Sequence, residues 1–147
     1  MREIKVRFWD EVNHRFWYGE QEGESEAQET FQTYFENGRL IAVMWKPVSY
    51  GLKSVDDVIE RELKGSEYTG LKDKNGKEIF EGDIVRISNH PFDGPIEVNR
   101  NYEVGYNSEM ELCCGSWLLF RMRHYAEVIG NVFEHPELLE VKEAEKK

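Results

Sequence analysis

The sequence predicts a mainly β protein: a small SH3-like barrel or partly open barrel in the second half, N-terminal β-hairpins packed on it, and one or two short helices. Three observations predict it. Short runs of β-branched and aromatic residues recur along the chain, as at residues 4–9, 30–35 and 84–87. Tight-turn signals separate them, among them Asn37-Gly38, Asn75-Gly76 and Gly82. In the first half, apolar residues fall at helical spacing in one good segment, residues 54–64.

The elements follow in order. Residues 4–9 alternate apolar and basic side chains until Trp9, and Phe16-Trp17-Tyr18 opens a second strand, so residues 4–18 read as a hairpin. Residues 20–29 hold five acids and no base, the composition of a solvated loop or an acidic docking loop. Residues 30–35 and 40–45 flank Asn37-Gly38, which suits a type I′ turn and a second hairpin. Pro47 and Gly51 end that pattern. Ser54 can cap a helix over residues 54–64, with Asp56 and Asp57 at its positive end, Val55, Val58, Ile59 and Leu63 on one face, and Gly65 to stop it. A β segment from Tyr68 turns at residues 73–76, returns, and turns again at residues 81–83. Residues 84–87, 96–106, 117–122 and 126–133 supply further strands, and Pro136 can open a short helix over residues 137–142. The boundary expected from this pattern divides the chain into residues 1–66 and residues 67–147.

Charge excludes some functions. The chain of 147 residues carries 29 acids against 19 bases, a net charge of −10. Residues 1–66 hold 13 acids and 9 bases, and residues 67–147 hold 16 and 10, so neither part is basic. Phosphate backbones are bound by clustered Lys and Arg, so general nucleic-acid binding is disfavoured, as is attraction to anionic lipid. The opening residues have no apolar run of signal-peptide length, and no stretch is long enough to span a bilayer. The two cysteines, Cys113 and Cys114, are neighbours, as expected of reduced thiols in a cytoplasmic protein.

No reaction motif stands out. His14, His90, His124 and His135 lie in four separate segments, and Cys113-Cys114 lacks the two-residue gap that turns both sulfurs onto one metal. Neither a P-loop nor a Gly-x-Ser-x-Gly elbow occurs. No metal, cofactor or catalytic residue is therefore expected. Trp9, Trp17, Trp45 and Trp117 belong more naturally to a core than to an exposed stacking surface.

Residues 68–86, Tyr-Thr-Gly-Leu-Lys-Asp-Lys-Asn-Gly-Lys-Glu-Ile-Phe-Glu-Gly-Asp-Ile-Val-Arg, carry the most specific pattern. They resemble the signature of the YopX family of small phage and prophage proteins. The start, Met-Arg-Glu-Ile-Lys-Val-Arg-Phe-Trp-Asp, and residues 127–139 resemble that family's two ends, while residues 19–67 and 88–117 match no pattern of it. The resemblance implies phage association and no particular reaction. Physically, Gly70, Gly76 and Gly82 stand where the chain must turn, and Asp73 and Asn75 can bond their own backbone. That makes Gly70, Asn75, Gly76 and Gly82 structural turns, and it leaves Tyr68, Thr69, Lys72, Asp73 and Asp83 as candidates for a binding surface. The expected function is a non-catalytic accessory module that binds a host or phage protein, or a second copy of itself. A nucleic-acid-binding SH3-like barrel is the alternative, followed by an enzyme with an unrecognised site.

Overall fold

The structure is a computed structural model, and it describes residues 5–18, 29–47, 58–92 and 98–139. The chain is mainly β, with a curled half-barrel sheet and a second sheet, the partly open barrel class expected. The described residues divide into two compact units, 5–66 and 67–139.

In the first unit, β1 (Val6–Asp10) and β2 (Arg15–Tyr18) form an antiparallel hairpin, and so do β3 (Thr30–Glu36) and β4 (Arg39–Pro47). Asn37 and Gly38 have φ of 51° and 77°, as a type I′ turn demands. The next strand, β5 (Val58–Lys72), lies between the hairpins in the order β2-β1-β5-β4-β3. Phe8, Trp17, Phe31, Ala42, Met44 and Leu63 make the core. Trp17 stacks on Phe31 with ring centroids 5.1 Å apart.

The helix expected over residues 54–64 is corrected here. Residues 54–57 lie outside the described residues, and from Val58 onward the chain is strand. Pairing decides it: Val58 stands opposite Pro47, Arg61 opposite Met44 and Leu63 opposite Ala42. Ladder bonds to β4 and burial of Leu63 in the core outweigh a helical pattern worth a few tenths of a kcal/mol per residue, about the spread of intrinsic propensity. The acidic segment expected over residues 20–29 also lies outside the described residues except for Glu29.

In the second unit, the end of β5 pairs with β6 (Glu78–Phe80), and a five-stranded sheet follows. It contains β7 (Asp83–Ile87), β8 (Asn101–Tyr106), β9 (Leu112–Cys114), β10 (Trp117–Leu118) and β11 (Ala126–Asn131) in the order β10-β9-β8-β7-β11. Ile79, Val85, Ile87, Val98, Val104, Cys114, Leu119, Met122 and Ala126 form the core. Val85 stands opposite Val128 and Ile87 opposite Ala126, as the β-rich patterns require. Ile84 is also fully buried, although it points away from Val85.

Further expectations about the elements are corrected. The run 117–122 is strand only to Leu118, and Leu119–Met122 is a single helical turn, α1, that puts Leu119 and Met122 into the core and leaves Phe120 exposed. Residues 112–114, read as no element, form β9 through pairing with Val104, Gly105 and Tyr106. Strand β11 ends at Asn131, whose side-chain oxygen accepts the N–H groups of Phe133 and Glu134. Of the C-terminal helix expected over residues 137–142, a 3₁₀ turn at Pro136–Leu139 is described.

Candidate functional site

The signature residues are drawn into the fold. Asp73 is buried, and its Oδ1 accepts the N–H groups of Asn75 (2.8 Å) and Lys77 (2.9 Å). Its Oδ2 accepts the N–H of Val128 on β11 (2.9 Å), a residue 55 positions away. Thr69 is buried and donates to the Ile79 carbonyl at 2.6 Å, while Asp83 is buried and accepts the Phe80 N–H at 2.8 Å. The Tyr68 ring is buried 5.5 Å from that of Phe80. Of the five candidate binding residues only Lys72 is exposed. The other four brace the hairpin and its link to β11 and present little to a ligand. Gly70, Gly76 and Gly82 have φ of 86°, 82° and 83°, the left-handed conformation that favours glycine, and Asn75 completes the turn that Gly76 closes on the Asp73 carbonyl.

A second polar cluster lies inside the first unit. Asp10 has no exposed surface, and its carboxylate accepts from Arg61 at 2.8 Å, Asn13 Nδ2 at 2.6 Å, Trp17 Nε1 at 2.9 Å and the N–H groups of Val12 and Asn13. Burial alone would raise its pKa, but the hydrogen bonds from Arg61, Asn13 and Trp17 outweigh it and hold the carboxyl well below the usual range. Glu29 grips the other edge of the Arg61 guanidinium at 3.0 and 3.1 Å, which, with Asp10, raises the guanidinium pKa further despite burial. Every oxygen of Asp10 is engaged, so the cluster ties β1, β2 and β5 together.

The two thiols are free and buried. Burial, with Cys113 alongside, pushes the Cys114 thiol up to about 12. Among the described residues no three His, Cys, Asp or Glu side chains are grouped to hold a metal ion.

Among the described residues, one feature with room for a ligand lies at α1 in the second unit. A groove of about 370 Å³ is lined by His90, Ser116, Trp117, Leu118, Arg121 and Met122. The β9–β10 turn builds one wall. Gly115 takes φ of 60°, so Gly115-Ser116 reverses the chain in two residues and sets Trp117 opposite Cys114. A Cβ at Gly115 would run into the Tyr102 ring. The opposite wall is His90, whose ring meets Tyr125 edge-on at 4.7 Å and whose Nδ1 accepts the Phe92 N–H at 3.1 Å. Phe92 then lies 6.2 Å from Trp117, ring to ring. Leu118 in the lining and Phe92 beside Trp117 are exposed, as is Phe120 on α1, to 68%. Trp117 is partly buried against the core, so it belongs both to the core and to the groove. Trp117, Leu118 and Met122 make its apolar part, the cation is Arg121, and no acid is among the described residues that line it, so it suits an apolar group next to an anionic one.

The groove was hidden in the sequence by the reading of residues 117–122 as one strand, which assigns Leu118 and Phe120 no distinct surface. One signal could have found it. Residues 112–126 contain no acid but do contain Arg121, Arg123 and His124, in a chain of net charge −10.

No curated protein matches the chain. The crystal structure of protein EF1440 from Enterococcus faecalis is similar at 23% identity and a TM-score of 0.53, over 95% of this chain and 100% of that one, a likeness of fold. The YopX protein family model matches residues 5–140, nearly the whole length, a span that takes in the buried Thr69, Asp73 and Asp83 and the three left-handed glycines. On that match, the chain belongs to the YopX family.

Proposed function

We propose that this chain is a non-catalytic accessory protein of phage or prophage origin that works in the cytoplasm by binding another protein through the α1 groove. The observation that carries the reading is the grouping of exposed Leu118 and Phe92 with Trp117 at a groove that Met122 also lines. Aromatic and aliphatic side chains grouped at a concave, water-excluding site are typical anchors of protein interfaces. Asp10, a carboxylate whose pKa is strongly lowered, is saturated by donors and has no free lone pair facing a substrate, which speaks for a structural role over acid–base catalysis.

The test is site-specific photocrosslinking in the bacterial host. A benzophenone side chain replaces Leu118 in one variant and the exposed Gln32 of β3 in another. A discrete protein adduct at position 118 and none at position 32 is expected. No adduct at position 118, or the same diffuse ladder at both positions, overturns the reading.

A further inference from the structure

We infer that the α1 groove receives an acidic segment of the partner protein, one that carries an apolar anchor residue next to its carboxylates; this rests on the protein-binding reading above. The apolar half of the argument is geometric. Trp117, Leu118 and Met122 offer a hydrophobic wall, and about 370 Å³ lies at the small end of ligand pockets, room for one or two side chains and not for a folded domain.

The charged half rests on complementarity. Arg121 is exposed at the groove, and no acid is among the described residues that line it. The stretch of chain that builds it is cationic as well: residues 112–126 hold Arg121 and Arg123 and no acid. In a chain of net charge −10, this is a place where a carboxylate gains attraction instead of meeting the prevailing repulsion. An acidic peptide would place one or two carboxylates against Arg121 and its anchor on Trp117.

A nucleic-acid strand fits less well. It carries a charge at every nucleotide and would have to run past the acids that dominate the rest of the surface, whereas a peptide concentrates its charge at one spot. Base stacking on Trp117 is the competing occupant, and it becomes an outcome of the test.

The experiment uses the full chain and fluorescein-labelled twelve-residue peptides read by anisotropy. One peptide is acidic with a central Leu-Phe anchor, one keeps the anchor with Lys in place of the acids, and one keeps the acids with the anchor replaced by Ser. A single-stranded oligonucleotide is the fourth probe. The expected result is saturable binding of the acidic anchored peptide, weakened about tenfold or more by Arg121→Glu, as loss and reversal of a close charge pair requires. Arg121→Glu should also shift preference towards the Lys peptide, which no unfolded protein would do. Leu118→Asp, on an exposed side chain, should weaken the acidic peptide while leaving circular dichroism unchanged. Equal binding of acidic and basic anchored peptides, both lost in Leu118→Asp, overturns the charge assignment and leaves the protein-binding reading standing. Tighter binding of the oligonucleotide overturns both. Binding to none of the peptides overturns the inference, and if position 118 also yields no crosslink the broader reading falls with it.

Discussion

Asp10 shows how a single residue can be polar, wholly buried and stabilising. Removing a carboxylate from water is costly, and here the cost is offset by Arg61, Asn13, Trp17 and two backbone N–H groups that leave no oxygen unpaired. In the sequence Asp10 merely opens the polar turn between two apolar strands, because nothing in the spacing of Asp10, Glu29 and Arg61 says that they meet. Asp10→Asn keeps the shape but turns an amide N–H₂ towards the donors of Trp17 and Asn13, and it should cost about 1–3 kcal/mol at neutral pH, measured by urea unfolding. The pH dependence has a definite sign. The folded pKa lies below the ordinary 3.8, so the carboxylate's contribution is present above that value and is withdrawn as pH falls from 3.8 towards the folded pKa. Wild-type melts should therefore fall more steeply than Asp10→Asn melts over that acid range. Parallel curves would show that the cluster contributes nothing through charge. Gly76 is the opposite case, fully legible in advance. Its φ is 82° and the space around a Cβ is empty, so any cost of Gly76→Val comes from the backbone and not from a clash. A cost of about 1–3 kcal/mol is expected for the β-branched residue, and Gly76→Asn should recover much of it because Asn tolerates the left-handed region. Equal melting temperatures for the Val variant and wild type would refute the strained-turn account.

The elements were read correctly where a pattern is local and wrongly where a partner decides. Both N-terminal hairpins and the Asn37-Gly38 turn follow from alternation and turn chemistry. Residues 58–64 carry good helix formers, yet they form a central strand because Arg61 is drawn to Asp10 and Glu29 and Leu63 to the core, contacts 32 residues away or more in the case of the two acids. Residues 112–114 show the reverse, a strand with almost no signal of its own that exists through its pairing with β8. The candidate groove was lost for the same reason, since one helical turn at Leu119–Met122 decides which of Leu118, Leu119 and Phe120 faces out. The β5–β6 hairpin gives a test at this scale. Asp73 accepts two N–H groups within its own turn and one from β11, so it fixes both the turn and the strand across from it. Asp73→Ala leaves three donors without that acceptor and should cost about 2–4 kcal/mol, whereas Asp73→Asn, which keeps one acceptor oxygen, should cost less. Amide hydrogen exchange should accelerate at Val128 as well as at Asn75 in the Ala variant. Acceleration confined to the turn would show that the link to β11 carries no stability.

At the scale of the whole chain, how the second unit closes can be tested by removing its last strand. Strand β11 lies at the edge of its sheet, where loss of a strand is sometimes tolerated, but three features tie it to residues far back in sequence. Ala126 is fully buried in the core with Val85, Ile87 and Leu119. The Ala126 carbonyl accepts the Lys74 N–H at 3.0 Å, and Val128 donates to Asp73. After the strand, the Val132 N–H bonds the carbonyl of Gly82, so the turn before β7 is also held from the C-terminal side. Truncation before Ala126 removes all of these and exposes Val85 and Ile87, which are at most 1% exposed in the intact unit. The unit 67–139 should then lose cooperative melting and near-ultraviolet dichroism together, because a small sheet with an open apolar face does not hold unique packing. Single substitutions grade the same claim. Val85→Ala opens a cavity in the centre of the core and should cost about 2–3 kcal/mol. Ile129→Ala should cost less, because Ile129 is only half-buried and stands at the register shift between Val128 and Gly130, where β11 loses its pairing with β7. A truncated chain that still melts in one transition at the full-length temperature would mean that pairing with β8 is enough to hold β7 and that the C-terminal contacts are dispensable. A cost at Ile129 equal to that at Val85 would place the core further towards the chain's end than the burial of these side chains allows.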